Sequence, residues 1–163
     1  MSAIANYFKS NGKNVAGYDR VSTDITKTLQ NSGIAIHFED AMHLIPSEFK
    51  NNKNTIVVYT PAVSKNHLEL TYFLEHDFKV LKRSEILGEI TKNTICLAVA
   101  GTHGKTTTST ILGHILKEAN VNATSFLGGI SENYNSNLIL GGTEISVVEA
   151  DEFDRSFLNL SPK

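Results

Sequence analysis

The chain has 163 residues, with 15 Lys+Arg against 17 Asp+Glu, a formal net charge of -2 and 40% hydrophobic residues, a balance that supports a buried globular core. Near-neutral charge without a Lys/Arg run excludes an electrostatic footprint for nucleic acid, and the single cysteine, Cys96, excludes a disulfide framework or a Cys-based zinc cluster. No apolar run approaches the roughly 20 residues of a membrane span, and the opening MSAIANYFKSNGK lacks a basic stretch ahead of an apolar one, so the expected setting is cytoplasmic with no membrane partner.

Taken in order, Ala3, Ile4, Tyr7 and Phe8 share one helical face, and Asn11-Gly12 stops that helix. Residues 14–18 form a short apolar strand ending at Asp19. The pattern then predicts a helix over 23–30, closed by Gly33, and a strand over 34–38. The β-branched run TIVVY (55–59), bounded by Pro61, suits a buried parallel strand. Residues 67–75 read as a helix, 79–81 as a strand and 84–91 as a helix with Ser84 as its N-cap. TICLAVA (94–100) is the strongest strand signal. It is followed by a glycine-containing loop, a long helix over 105–119, and strands over 123–127, 138–140 and 145–150. Alternating strands and helices predict an α/β fold with open, mostly parallel sheets, and a domain boundary falls near Lys92-Asn93. Cys96 lies inside a buried strand and fits a small core residue.

The chemistry concentrates in Ala100-Gly101-Thr102-His103-Gly104-Lys105-Thr106-Thr107-Thr108. A buried strand delivers the chain to a tight turn from which a helix starts at once. Gly101 and Gly104 permit backbone angles and close approaches that a Cβ would block. Loop N–H groups and the helix N-terminus can then surround phosphate oxygens, with the Lys105 ammonium reaching the β- and γ-phosphates and the Thr106 hydroxyl available to Mg²⁺. The spacing is G-x-x-G-K-T rather than G-x-x-x-x-G-K-[ST]; Val99 stands where the longer pattern has its first glycine. A purely structural turn would leave the lysine and three threonines of the first helical turns unexplained, since β-branched Thr is a mediocre helix former.

A second signal is ISVVEADE (145–152), an apolar strand whose carboxyl end carries three carboxylates. Ligands of open α/β sheets sit beyond the carboxyl ends of strands, so this end and the glycine loop are expected on one rim. Glu149, last in the buried run, is the candidate to hold Mg²⁺ with Thr106, because this cation favours oxygen ligands. Asp151, Glu152 and Asp154 read as solvated or supporting charges. His103 either contacts phosphate or substrate or caps the loop. Asp19 stands where a Rossmann acid meets a ribose, and a turn or capping role fits it equally. Arg83 is either an ion-pair partner or a surface cation, and His37, His43, His67, His76 and His114 have no metal-ligand spacing.

The stretches AGTHGKTTT, FLGGI and VVEADEFDRSFL resemble the Mur ligase family of cell-wall precursor synthesis. Tyr59-Thr60-Pro61-Ala62-Val63 and Lys82-Arg83-Ser84-Glu85-Ile86-Leu87 resemble the family's segments before its central domain. The resemblance implies a Rossmann-like UDP-sugar-binding domain over 1–92, lacking its first strand and Gly-rich loop, and the opening part of a P-loop-type central ATPase domain over 93–163. It further implies an ATP-binding segment of Gly101, Thr102, His103, Gly104, Lys105, Thr106 and Thr107, with Lys105 catalytic and Mg²⁺ on Thr106 and Glu149. Ser2, at the end of a family glycine loop, and Asp19 are the implied substrate contacts. His103 and the run Asp154-Arg155-Ser156-Phe157-Leu158 favour the alanine-adding branch, whose partners are UDP-N-acetylmuramate, L-alanine and ATP. On this resemblance the 163 residues are expected to be an incomplete piece, inactive by itself. The alternatives are a murein-tripeptide recycling ligase, a nucleotide-binding piece without catalysis, and an unrelated phosphate-loop NTPase.

Overall fold

The computed structural model describes residues 1–64 and 66–163, with the side chains of 153–155 left aside. It divides into two compact units, Met1–Arg83 and Ser84–Lys163. The expected junction at 92/93 lies later than this division, because the helix that precedes it belongs with the second unit.

The first unit opens with helix α1 (Ser2–Ser10), which buries Ala3 and Ile4. Two βαβ pairs follow. Strand β1 (Ala16–Tyr18) runs parallel to β2 (Ala35–His37) across helix α2 (Asp24–Asn31), and β3 (Ile56–Tyr59) runs parallel to β4 (Lys79–Lys82) across helix α3 (Leu68–Glu75). Helix α2 starts where the sequence places it, since Thr23 and Thr26 close a reciprocal capping box. Gly33, at φ +82°, turns the chain into β2. The β3 strand is parallel as expected, but it has one strand neighbour and Ile56 is 49% exposed, so it is not the buried strand that TIVVY suggests. Ile45, Phe73 and Phe78 form the local core, with Phe49, Val57, Tyr72 and Val80 packed against them.

The two small sheets of this unit are joined by polar side chains. The Asp40 carboxylate accepts from the first N–H groups of α3, Leu68 at 2.8 Å and Glu69 at 3.1 Å. Glu69 in turn reaches His37 Nε2 at 2.6 Å and the Ala41 N–H at 3.3 Å. Orphan donors at a helix start are thereby satisfied from a distant loop.

The second unit contains helix α4 from Ser84 onward (the helix spans Arg83–Thr91), strand β5 (Ile95–Val99), helix α5 (Lys105–Glu118), strands β6 (Ala123–Ser131), β7 (Ser136–Ile139) and β8 (Ile145–Glu149), and a 3-10 segment, Phe153–Asn159. Ser84 is not a cap: β4 runs straight into a helix beginning at Arg83, and Ser84 is buried within it. The sheet has the order β5-β8-β6-β7. The last strand in sequence, β8, lies centrally and parallel to both β5 and β6, while β7 is antiparallel to β6. The sheet is therefore mixed rather than parallel throughout. Cys96, Val147 and Val148 are fully buried, as the apolar runs predict. No helix among the described residues is long and apolar enough to cross a membrane.

Helix α5 packs closely on β6 through Gly113, where an added Cβ would sit 2.5 Å from Ser125 Oγ and 2.9 Å from Ser125 Cβ. Gly113→Ala gains about 1 kcal/mol of helix propensity, but overpacking costs roughly 1–3 kcal/mol and the Ser125 Cβ is fixed to its backbone. The variant is expected to lower the thermal midpoint in a calorimetric or circular-dichroism melt.

Candidate phosphate and metal site

Strand β5 ends at Val99, and the chain turns through Gly101 at φ +144° and Gly104 at φ +78° before α5 begins. Gly104 is the left-handed N-cap of α5 and offers no side chain to cover the helix start, so the first-turn N–H groups face the loop. Thr102, His103, Gly104, Lys105, Thr106 and Thr107 line a cavity of about 320 Å³ there. These are six of the seven residues singled out for nucleotide; Gly101 supplies the turn beside them.

Glu149 lies opposite Val99 in the β5–β8 register, and the Ala150 N–H donates to the Val99 carbonyl at 2.9 Å. The carboxylate and the glycine loop thus share one rim. Glu149 Oε2 accepts from Thr106 Oγ1 at 3.1 Å, while Oε1 accepts from Ser109 Oγ at 3.1 Å and from the Gly128 N–H at 2.7 Å. The carboxylate is half-buried, and three donors offset its desolvation. Thr106 and Glu149 are hard oxygen donors beside the cavity, a donor set that fits Mg²⁺, which needs only one or two protein oxygens beside phosphate and water. No group of three or more His, Cys, Asp or Glu suited to a metal occurs among the described residues.

Lys105 Nζ donates to the Gly101 carbonyl at 2.7 Å and pairs with Glu152, at 3.2 Å to Oε2 and 3.4 Å to Oε1. Glu152, expected to be a solvated charge, is instead the counter-ion of the loop lysine, although it stays 65% exposed. Its carboxyl is held below the ordinary 4.5 first by a hydrogen bond to its own backbone and then by Lys105.

Sequence reasoning passed over Ser109 and noted the Gly128–Gly129 pair only within the FLGGI resemblance, with no role assigned. Ser109 lies one helical turn beyond Thr106 and points the same way, a spacing that could have flagged it. Gly128 had no such signal: a Cβ there would meet Glu149 Oε2 at 2.6 Å, a close approach visible only in the fold. The candidate substrate contacts, Asp19 and Ser2, lie in the first unit. Asp19 Oδ1 accepts from the Val21 N–H at 3.2 Å, the turn role. Ser2 opens α1. His37 serves Glu69, and His114 Nδ1 meets the Tyr134 hydroxyl at 2.8 Å. Asp154 and Arg155 lie outside the described side chains.

Because the folded-state pKa of Glu152 is depressed, its contribution is present above 4.5 and lost as pH falls through the lowered value. In a carbon-detected NMR titration, Lys105→Ala is expected to return the Glu152 pKa only part of the way toward 4.5, since the hydrogen bond to its own backbone, the largest single cause, remains. A full return would contradict the backbone contribution.

Residues 1–94 match the model of the Mur ligase family, catalytic domain. The UDP-N-acetylmuramate–L-alanine ligase of Flavobacterium psychrophilum is 62% identical over 162 residues, 99% of this chain and 36% of the relative. That of Flavobacterium johnsoniae is 58% identical with the same coverage. The chain therefore spans little more than a third of the length of these relatives. Among solved structures, UDP-N-acetylmuramate-alanine ligase from Thermotoga maritima superposes with a TM-score of 0.84 at 29% identity, covering 99% of this chain and 37% of that one. UDP-N-acetylmuramate:L-alanyl-gamma-D-glutamyl-meso-diaminopimelate ligase from Neisseria meningitides gives a TM-score of 0.81 at 25% identity, covering 95% of this chain and 50% of that one. With its family match over more than half its residues and the same α/β fold as these enzymes, the chain belongs to the Mur ligase family.

Proposed function

We propose that this chain carries the nucleotide-handling part of an ATP-dependent UDP-N-acetylmuramate–L-alanine ligase that makes peptidoglycan precursors in the cytoplasm. Residues 1–92 take the Rossmann-like UDP-sugar-binding role, with Ser2 and Asp19 as contacts, and 93–163 open a P-loop-type ATP-binding domain. The convergence of Lys105, Thr106 and Glu149 on one sheet rim carries this assignment. The relatives of that name at 62% and 58% identity support the alanine-adding branch.

In the proposed reaction, an oxygen of the sugar's lactyl carboxylate bonds to the γ-phosphorus of ATP. The bond from that phosphorus to the β–γ bridging oxygen breaks, and ADP leaves. The neutral amine of L-alanine then attacks the acyl carbon; phosphate departs with the electron pair of the broken C–O bond, and the nitrogen loses a proton as the amide forms.

Each residue of the chain meets a charge problem in this sequence. Two anions must approach each other, so fixed positive charge and oriented donors are needed more than covalent chemistry. Lys105 exchanges the Gly101 carbonyl and Glu152 for oxygens of the β- and γ-phosphates. The N-terminus of α5 and the loop from Gly101 to Thr107 supply N–H groups to the triphosphate. Thr106 and Glu149 hold Mg²⁺, which when bound supplies positive charge against the triphosphate.

The tripeptide-adding alternative is favoured by the fold likeness to the Neisseria enzyme at 25% identity. A polypeptide carrying this chain at the length of its relatives is expected to form ADP and UDP-N-acetylmuramoyl-L-alanine from UDP-N-acetylmuramate, L-alanine, ATP and Mg²⁺. Product with the tripeptide and none with L-alanine would reverse the choice. In the same assay, Lys105→Ala is expected to lower ADP formation by about 100-fold or more, the scale of losing one preorganised charge at a phosphoryl-transfer site. Glu149→Ala is expected to raise the Mg²⁺ concentration needed for half-maximal turnover.

A further inference from the structure

Glu149 has two chemically equivalent oxygens, yet the fold treats them differently. Oε1 is held by two donors, Ser109 Oγ at 3.1 Å and the Gly128 N–H at 2.7 Å. Oε2 has the Thr106 hydroxyl at 3.1 Å. Ser109 is 0% exposed, and its single hydroxyl proton is within reach of both the Thr106 carbonyl and the Glu149 carboxylate, each at 3.1 Å. A hydrogen bond to an ionised acceptor is roughly twice as strong as one to a neutral carbonyl, so the carboxylate takes the larger share. The Gly128 amide comes from β6, and Ser109 from α5. The carboxylate is thus gripped from two separate elements at a point where only glycine allows the strand to approach.

Resting on the phosphate-loop assignment above, we propose that Ser109 and the Gly128 N–H form a clamp on Oε1 of Glu149 that presents Oε2 to a divalent cation beside Thr106. Ser109 is in this sense a positioning residue: it touches neither nucleotide nor metal and acts by denying Glu149 its other rotamers. A free glutamate samples several side-chain conformers, and ordering a long side chain costs up to about 1.5–2 kcal/mol. The clamp meets that cost during folding, before the cation arrives. The Gly128 donor is a backbone group and survives any side-chain change, so Ser109 is the half of the clamp that substitution can remove.

The test measures the affinity of a polypeptide carrying this chain at the length of its relatives for a non-hydrolysable ATP analogue by calorimetry, with Mg²⁺ and with the metal chelated, alongside a thermal melt. Partners that hold a metal ligand in place are commonly worth 10–100-fold in metal affinity, so Ser109→Ala is expected to reduce the Mg²⁺ enhancement of analogue binding by about 10-fold or more while leaving metal-free binding unchanged. Ser109→Cys, which keeps the volume with a weaker donor, is expected to lose most of the enhancement, and Ser109→Thr to retain it. An undiminished Mg²⁺ enhancement in the Ala or Cys variant would overturn the clamp. Equal losses with and without metal would reduce Ser109 to a packing residue and overturn it too. Absence of analogue binding by the unsubstituted polypeptide of that length would instead overturn the phosphate-loop assignment, and the clamp with it.

Discussion

Parallel pairing of β5 with β8, with Val99 opposite Glu149, is the constraint on which the rest of the site depends. Neighbouring strands are about 4.8 Å apart, so two strands that end together deliver whatever follows them to adjacent points on one rim. The first delivers a glycine loop and a helix start, and the second a carboxylate. A slip of one residue in this register would turn Glu149 to the opposite face of the sheet and leave Thr106 without its partner. The fully buried Val147 and Val148 make such a slip costly, because it would also exchange the core face of β8 for its opposite.

Around that rim, two carboxylates have different physical standing. Glu149 is half-buried and receives three hydrogen bonds from two elements, α5 and β6, so its position is set by the fold. Glu152 is 65% exposed, and its pairing with Lys105 is of the kind that solvent and salt weaken. The first suits a permanent metal ligand. The second suits a counter-ion that yields to phosphate oxygens, which carry more charge and come with oriented backbone donors around them. Close backbone approach makes the arrangement possible: Gly113 lets α5 sit on β6, and Gly128 lets β6 reach the Glu149 carboxylate.

The first unit is assembled on other terms. Its two parallel pairs form separate two-stranded sheets, and side chains bridge them where strand pairing does not. Asp40 supplies the N-terminal capping of α3 from the loop after β2, and Glu69 returns to His37 at the end of β2. Polar bonding of this kind specifies geometry more than it adds stability, since each bond replaces one to water at a net gain of only about 1 kcal/mol. The apolar contribution comes from the cluster of Ile45, Phe73 and Phe78.

Much of this was legible in the residues because it is local. The TICLAVA run, Gly101, Gly104 and the lysine and threonines that follow define a strand, a turn and a helix start through backbone preference and apolar patterning over neighbouring positions. The capping box at Thr23 and the end of α2 at Gly33 follow from the same short-range chemistry. What the residues could not settle depends on partners distant in sequence. The central place of β8 and the antiparallel β7 depend on which strand pairs with which. The helical start at Arg83 depends on β4 running on without a loop, which denies Ser84 a capping role. Ser109 and Gly128 acquire their meaning only from Glu149, 40 and 21 residues away. A donor reveals its purpose when folding brings its acceptor within 3 Å, and no periodicity along the chain encodes that meeting.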